Sequence, residues 1–175
     1  MEHATADELA AGLEHVRSSP GDRGRLELIV RRPAVDEREV LVEGELDLVV
    51  GLVGDRWHLG SSPTNDSQLT LMNSRLAQLV ARSRERWPLA GDQLYVDLDL
   101  SVGNLPPGTR LAVGEAVIEV SDVPHTGCAK FGARFGSDSV KLVNKGEGRE
   151  LRLRGMNARV VTPGTVRVGD PIRKL

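Results

Sequence analysis

The second half of the chain is divided into short apolar segments by closely spaced turns, and this pattern restricts the folds that it can adopt. Over 94–100, aliphatic residues alternate with polar or aromatic ones, which predicts a strand with one buried face. Many short strands joined by turns rich in glycine and proline are typical of a closed or nearly closed β-barrel, in which few strand edges stay exposed. Further strands are expected at 110–113, 116–120, 151–154, 158–161 and 165–168.

The first half contributes helices as well as strands. Thr5 is a suitable N-cap for a helix over 5–17, whose apolar residues recur at helical spacing. A second helix is predicted to begin at Asn73 or Ser74 and to end near 84–86. The fold class predicted is therefore mostly β, with a minor helical part. The remaining expected elements are strands at 26–30 and 40–46, apolar pieces at 48–53 and 68–72, a loop at 57–65, a turn at 87–92 and a short helix at 138–144.

The composition fits one globular domain with an aliphatic interior. The chain has 175 residues, about half of them apolar or glycine, and only five are aromatic. Such values exclude wholesale disorder. We expect residues 1–175 to form a single domain whose core consists of valine, leucine and isoleucine.

The sequence contains one cysteine, Cys128, which excludes internal disulfides and a cysteine-rich zinc site. The first residues lack the apolar core of a signal peptide, and no apolar run reaches the roughly 20 residues of a membrane helix. A lone thiol suits a reducing compartment. We therefore expect a cytoplasmic location and no membrane partner.

Charge is distributed unevenly, although the formal net charge is only −2. Residues 1–60 hold 13 acidic and 7 basic side chains, whereas residues 125–159 hold 3 acidic and 8 basic ones. Two interpretations are open. Either the bases form a solvated face that pairs with the acidic first half, or they form an anion site that lowers the pKa of a nearby thiol and attracts phosphate-like ligands.

The segment around Cys128 is the strongest candidate for chemistry. His125, Lys130 and Arg134 flank the thiol, and Gly127 lets the backbone approach closely. Nearby cations stabilise a thiolate, which attacks electrophiles, carries sulfur as a persulfide or binds a soft metal such as molybdenum. A lone cysteine is by default a small buried apolar residue. The polar, basic and glycine-rich surroundings of this one favour a functional thiol.

The neighbours of this thiol leave several roles open. His125 is either a general base or a hydrogen-bonded loop residue, and Asn157 or Asp122 is a candidate third partner. Arg56 follows a Gly-Asp turn, where it either extends a cation into a pocket or is merely exposed. Nucleic-acid binding is not expected, because few aromatic residues accompany the bases. The sequence has neither a phosphate-binding glycine loop nor a serine nucleophile motif.

Several motifs in this order resemble the MOSC domain, the module named after the C-terminal part of molybdenum cofactor sulfurases. Residues 51–56, Gly-Leu-Val-Gly-Asp-Arg, resemble the early Gly-x-x-Gly-Asp-Arg/His turn of the family, and Cys128 lies shortly after a proline, where the family has its characteristic cysteine. Residues 104–114 and 155–170 resemble two further glycine-containing blocks. The resemblance extends over about 46–172, the expected barrel core, on which the helix and strands of 5–45 would pack.

The resemblance implies a barrel-like fold and two roles for Cys128, as a persulfide carrier or as a ligand of the molybdenum in a molybdenum-pterin cofactor. Some members of the family reduce N-hydroxylated compounds, and the family is also associated with pyridoxal phosphate. Cys128 and His125 would form the catalytic pair, and basic side chains would hold the cofactor's phosphate. The residues implied for cofactor binding are Arg56, Lys130, Arg134, Arg154 and Asn157.

The chain departs from larger members of the family, since we expect no desulfurase domain, no extra N-terminal barrel domain and no iron–sulfur cluster. A desulfurase or an electron-transfer protein would then be the partner that supplies sulfur or electrons. Three hypotheses follow. The first is a stand-alone MOSC-type module that binds molybdenum cofactor or carries sulfur on Cys128. The second is a molybdenum-dependent oxidoreductase that reduces a small N-hydroxylated substrate with external electrons, and the third is a non-catalytic binding module.

Overall fold

The computed structural model describes residues 2–60 and 64–175. Most strands in this part of the chain are short, as the dense turns predict. In chain order they are β1 (Arg23–Arg31), β2 (Glu39–Leu41), β3 (Glu43–Asp47), β4 (Gly51–Leu52), β5 (Leu69–Asn73), β6 (Leu94–Asp97), β7 (Arg110–Val113), β8 (Ala116–Val120), β9 (Met156–Thr162), β10 (Gly164–Arg167) and β11 (Pro171–Lys174).

Seven of these strands close into a barrel. Their order is β1, β6, β5, β9, β8, β7 and β11, and β11 pairs again with β1. The barrel pairs are antiparallel except β5 and β6, which run parallel. β2 extends the sheet beyond β1, and β10, β3 and β4 form a separate small sheet. The predicted β-barrel of short strands is confirmed, although helices contribute about as many residues as strands.

The apolar residues form one cluster inside the barrel and a second one outside it. The interior cluster is aliphatic, as the composition predicts. The outer cluster lies between the barrel and the helices and holds four of the five aromatic side chains, Trp87, Tyr95, Phe131 and Phe135. β6 therefore buries side chains on both of its faces, and the expectation of a single buried face is wrong at Tyr95. The Tyr95 hydroxyl donates to the carbonyl of Trp87 over 2.8 Å.

The first helix, α1 (Ala6–Arg17), begins after Thr5, and Thr5 and Glu8 form the reciprocal hydrogen bonds of a capping box. The second, α2 (Ser74–Ala81), begins after Asn73, whose side chain accepts hydrogen bonds from two backbone N–H groups of the first turn. Both predicted starts are confirmed. Three further helices follow in the second half: α3 (Ala129–Phe135), α4 (Ser137–Asn144) and α5 (Glu147–Glu150).

Two predicted elements in the first half differ from the structure in their extent. α2 ends at Ala81, because Arg82 takes a left-handed conformation with φ of 67°, and a 3-10 helix over Arg84–Ala90 replaces the predicted helix end and most of the predicted turn. The predicted strand over 40–46 is interrupted at Val42 and becomes β2 and β3, which belong to different sheets.

Residues 151–154 are not a strand, contrary to prediction, but a turn after α5. Arg152 is left-handed, with φ of 49°, which is incompatible with an extended segment. Its guanidinium donates instead to the carbonyls of Leu100 and Leu105. α3 and β11 were not predicted.

The predicted loop over 57–65 contains a 3-10 turn at Trp57–Leu59, and its residues 61–63 lie outside the described part. β1 belongs to the barrel wall through its pairing with β6 and β11. The division of the chain into 5–45 and 46–172 stays a prediction. None of the helices in 2–60 and 64–175 combines the length and the hydropathy needed to cross a membrane.

Candidate functional site

Cys128 lies at the end of an irregular segment, 123–128, within the connection from β8 to α3. It is the N-cap residue of α3, and its side chain is exposed. The thiol lies in an open depression of about 410 Å³ between α3 and α4, which is lined mainly by small or apolar residues and by Lys141. A partner molecule can therefore approach the sulfur from solvent.

The surroundings of Cys128 favour its thiolate form. The backbone N–H of Phe131 lowers the pKa of the thiol most strongly, the N–H of Lys130 and the charge of Arg154 lower it further, and partial burial opposes them. The thiol is thus more acidic than an ordinary cysteine.

A buried carboxylate joins His125 to Arg154. Asp92 is fully buried and directly precedes the residues that lead into β6. One of its oxygens lies 3.0 Å from His125 Nε2, and the other accepts a hydrogen bond from Arg154 Nη1 over 2.7 Å. Burial by itself would raise the pKa of Asp92, but the charge of Arg154 and the hydrogen bond with His125 outweigh it and lower that pKa. Asp92 is therefore ionised at neutral pH.

Arg154 is almost completely buried, with 6% of its surface exposed. Its Nη2 donates to the carbonyl of Ala90 over 2.9 Å, and its guanidinium carbon lies 5.0 Å from the centre of the Phe131 ring. Within the described residues its Nε has no hydrogen-bond partner. The side chain is thus fixed by Asp92 while part of its donor capacity is unused.

His125 and Arg154 line a larger cleft of about 560 Å³, whose lining shares no residue with that of the Cys128 depression. Arg149 and Arg152 also line it, so three arginines of the basic segment 125–159 meet here. The anion-site interpretation of the charge pattern is favoured at this cleft. The surrounding wall is partly apolar, as is usual for small-molecule sites.

The other basic candidates pair with acidic residues or backbone carbonyls. Lys130 Nζ lies 3.5 Å from an oxygen of Asp36, and Arg134 donates to the carbonyl of Leu89 over 2.8 Å and lies 3.7 Å from Asp36. These contacts agree with the other interpretation of the charge pattern, in which the bases pair with acidic residues of the first half. Arg56 is not among the described residues that line the cleft.

Side-chain amides hold segment 123–128 in place. Asn157, on β9, donates to the carbonyls of Val123 and Pro124 over 3.0 and 3.3 Å. Asn144, at the end of α4, accepts from the N–H of Gly127 over 2.7 Å and donates to the carbonyl of Gly127 over 2.9 Å. These contacts replace the backbone pairing that a strand or helix would provide.

Two residues of this site were missed from the sequence. Asp92, rather than Asn157 or Asp122, is the partner of His125, and Asn144 anchors the residue before Cys128. Asp122 is exposed and lines the cleft. The only local signal for Asp92 was its place in a turn directly before a strand, which is also where ordinary turn aspartates occur.

The acidity of the thiol can be measured directly. We expect the rate of alkylation of Cys128 by iodoacetamide to rise with pH around a midpoint below the about 8.5 of an ordinary cysteine, because the thiolate is the reacting species. The same chain unfolded in urea provides the reference, since Cys128 is its only thiol. A native midpoint equal to or above that of the unfolded chain would contradict the effect of the α3 N–H groups and Arg154.

Comparison with known proteins gives a family and a fold. The MOSC domain family model matches residues 64–173. The YuaD protein from Bacillus subtilis has a similar structure with 18% identity and a TM-score of 0.63, covering 86% of this chain and 94% of YuaD. YiiM from Escherichia coli has 23% identity and a TM-score of 0.58, covering 86% of this chain and 69% of YiiM. No curated protein gives a significant match. At such identities the structural likeness shows the fold alone.

Proposed function

The chain belongs to the MOSC domain family, and from this premise we propose that Cys128 is its functional thiol, which carries sulfur as a persulfide or binds the molybdenum of a molybdenum-pterin cofactor. The observation that carries the proposal is a thiol that is both exposed and acidified. An inert structural cysteine is normally buried and has a raised pKa. We place the protein in the cytoplasm, where such a thiol stays reduced.

The cleft lined by His125 and Arg154 supports cofactor binding. Its volume of about 560 Å³ lies within the usual range of about 300–1,000 Å³ for small-molecule sites. Arg149, Arg152 and Arg154 line it, and Arg154 Nε lacks a hydrogen-bond partner among the described residues, so donors for a phosphate group are present. Cys128 is not part of this lining, but it follows Thr126 of the lining by two residues and would supply a soft thiolate ligand from the adjoining depression. When bound, the cofactor would supply oxidation–reduction chemistry at molybdenum.

The open position of Cys128 supports sulfur transfer. In such a step the Cys128 thiolate attacks the outer sulfur of a donor persulfide, a new sulfur–sulfur bond forms, and the donor's own sulfur–sulfur bond breaks so that the donor leaves as a thiolate. The exchange needs no external oxidant. A desulfurase is the class of partner that presents such a persulfide, and the open depression gives it access to the thiol.

His125 is the candidate for moving protons in this site. Its Nε2 is held by the ionised Asp92, so that in the neutral ring Nε2 carries the proton and Nδ1 is an acceptor. In residues 2–60 and 64–175, Nδ1 has no hydrogen-bond partner. We propose that it accepts a proton from a ligand in the cleft, with Asp92 stabilising the charged ring.

Analysis of the purified protein tests the proposal. The wild-type chain and the Cys128→Ala variant are prepared from a host that makes molybdenum cofactor, and molybdenum per chain and intact mass are measured. We expect molybdenum or an added sulfur atom on the wild-type chain and neither on Cys128→Ala. Ser137→Ala, which alters the same depression without touching the thiol, should behave like the wild type.

The outcomes separate the alternatives. Molybdenum that depends on Cys128 supports cofactor binding, and an added sulfur without molybdenum supports the carrier. If the preparation with bound molybdenum reduces an N-hydroxylated compound with an artificial electron donor, it is an oxidoreductase. Neither molybdenum nor sulfur, together with a thiol no more reactive than in the unfolded chain, would overturn the proposal and leave a non-catalytic binding module.

A further inference from the structure

We propose that a basic surface near Cys128 binds an acidic segment of the protein that exchanges sulfur with this thiol, an inference that rests on the proposed sulfur-carrier function. The basic surface consists of Arg38, in the connection between β1 and β2, and of Lys130 and Arg134 on α3. None of the three lines the cleft or the Cys128 depression. The cofactor and proton-transfer roles proposed above therefore leave these cations without a function.

Four guanidinium groups converge on the end of one 3-10 helix. Each donates to a different carbonyl of the four successive residues 88–91, where the helix over Arg84–Ala90 ends and the negative end of its dipole attracts cations. The pairs are Arg38 with Pro88, Arg134 with Leu89, Arg154 with Ala90 and Arg32 with Gly91, at 3.1, 2.8, 2.9 and 3.2 Å. These carbonyls therefore bring four like charges together.

Buried carboxylates neutralise two of these four arginines. Arg154 pairs with Asp92 over 2.7 Å and Arg32 pairs with Asp55 over 2.8 Å, and both carboxylates are buried. Arg38 is half-buried and, among the described residues, donates only to backbone carbonyls. Its charge is thus not compensated by an ion pair in this part of the chain.

The basic surface shares one exposed carboxylate, that of Asp36. It lies 3.5 Å from Lys130 Nζ and 3.7 Å from Arg134, farther than the about 2.7–2.9 Å of a charge-assisted hydrogen bond, and its side chain is 65% exposed. Burial and the charges of Arg134 and Arg32 lower the pKa of Arg38, so the cations repel one another. In the described part of the chain, three positive charges thus face one loosely held negative charge, which a partner's carboxylates can replace.

The surroundings of the basic surface fit a protein partner better than a nucleic acid. Val35, directly before Asp36, is 61% exposed and offers the apolar contact that protein interfaces combine with a polar rim. The rings of Phe131 and Phe135 on α3 are buried, so they cannot stack on bases. Because α3 has seven residues and spans about 10 Å, a chain bound along this helix lies within reach of Cys128 at its start.

Binding of a fluorescein-labelled octaglutamate peptide at low ionic strength, followed by fluorescence anisotropy, tests the basic surface. Asp36→Asn removes the internal competitor, and asparagine tolerates the left-handed backbone of this position, with φ of 59°. We expect this variant to bind the peptide about two- to fivefold more tightly than the wild type. Lys130→Glu replaces an attraction by a repulsion and should weaken binding at least about fivefold.

Each variant has a control that changes the net charge by the same amount elsewhere. Glu37→Gln alters the exposed neighbour of Asp36, which contacts Arg38 through its backbone carbonyl. Arg173→Glu reverses an exposed charge on β11 opposite Arg23, at the far end of the nine-residue β1 and roughly 25 Å from the connection to β2. Both controls should bind the peptide within about twofold of the wild type.

A second measurement tests whether a chain bound to the basic surface reaches Cys128. The peptide carries one cysteine as a mixed disulfide with thionitrobenzoate, so that attack by the Cys128 thiolate forms a new disulfide and releases thionitrobenzoate. On the wild type we expect release from the octaglutamate peptide at least about fivefold faster than from an octaglutamine peptide, although the net charge of the chain is −2. The ratio of the two rates should fall towards one in Lys130→Glu, and a ratio of one on the wild type would overturn the proposal.

The outcomes separate this proposal from the one on which it rests. Equal effects of each variant and its control, or no binding of octaglutamate, would overturn the docking surface, and added sulfur on Cys128 would then leave the carrier function standing. Tighter binding of an octathymidylate that depends on Lys130 would replace the protein partner by a nucleic acid. If the peptide behaves as expected but the purified chain carries no added sulfur, the carrier function is wrong and the surface serves another acidic partner. If Lys130→Glu does not fold, Lys130→Gln and Arg173→Gln are compared instead.

Discussion

Replacing Asp92 with asparagine is expected to lower the free energy of unfolding by about 3–5 kcal/mol, the usual cost of breaking a buried ion pair. Asp92 is fully buried, and Arg154 is 6% exposed, so the variant leaves a guanidinium in the interior without a counter-ion. The asparagine carboxamide has one acceptor oxygen instead of two, so it can accept from His125 or from Arg154 but not from both. Urea unfolding followed by circular dichroism measures the difference.

The same variant should change the dependence of stability on acid. The pKa of Asp92 is lowered in the folded chain, because the charge of Arg154 and the hydrogen bond with His125 outweigh the effect of burial. A lowered pKa means that the carboxylate contributes stability above its unfolded value of about 3.9 and that this contribution is lost as the pH falls through the lower folded value. The difference between the wild type and Asp92→Asn should therefore be full at neutral pH and shrink below about pH 4.

Asp122→Asn is the matched comparison for Asp92→Asn. Asp122 lines the cleft with His125 and Arg154 but is exposed, so its replacement should change the unfolding free energy by no more than about 0.5 kcal/mol. Adding Arg154→Met to Asp92→Asn removes both charges and should restore part of the loss, because the uncompensated cation is then absent. If Asp92→Asn unfolds at the same urea concentration as the wild type, Asp92 does not hold Arg154 in the way we describe.

The parts of the fold that depend on local patterns could be predicted from the sequence. β7 and β8 match the predicted segments residue for residue, because their alternation and the turn at Gly114, with φ of 52°, are both encoded locally. The starts of α1 and α2 were predicted because a cap acts on its own first turn. α3 was missed because Gly132 lowers helix propensity in its middle. The spacing of Phe131 and Phe135, which pack edge to face with ring centres 4.9 Å apart, was the available signal.

The site could be predicted only in part, for a related reason. Cys128 and His125 are close in sequence, but Asp92 is 33 residues from His125 and 62 from Arg154, so no local pattern reports that it joins them. The hydrogen bonds between the Asn144 side chain and the backbone of Gly127 join residues 17 positions apart and depend on how α4 packs. Contacts of this range are decided by barrel closure and helix packing. The same holds for the basic segment 125–159. Some of its residues pair with Asp36 and others line the cleft, and only the folded chain shows which residues do which.

Gly155→Ala is expected to destabilise the chain by about 3–5 kcal/mol, because the substitution combines backbone strain with a steric clash. Gly155 follows Arg154 and has φ of 115°, a conformation that residues with a side chain rarely adopt. A Cβ atom there would lie 2.3 Å from the carbonyl oxygen of Leu71, on β5, and 3.2 Å from the ring of His125. The Leu71 oxygen belongs to the barrel wall and cannot move without disturbing the β5–β9 pairing.

The comparison for Gly155→Ala is Gly103→Ala, where a new Cβ would meet no described atom within 4 Å, and which should unfold within about 0.5 kcal/mol of the wild type. The identity of the obstacle can be determined by adding His125→Ala to Gly155→Ala. Truncating the ring removes the 3.2 Å contact but leaves the shorter one to the Leu71 carbonyl. The two substitutions should therefore be close to additive in a double-mutant cycle. Full rescue by His125→Ala would show that the ring, and not the barrel wall, requires glycine at this position.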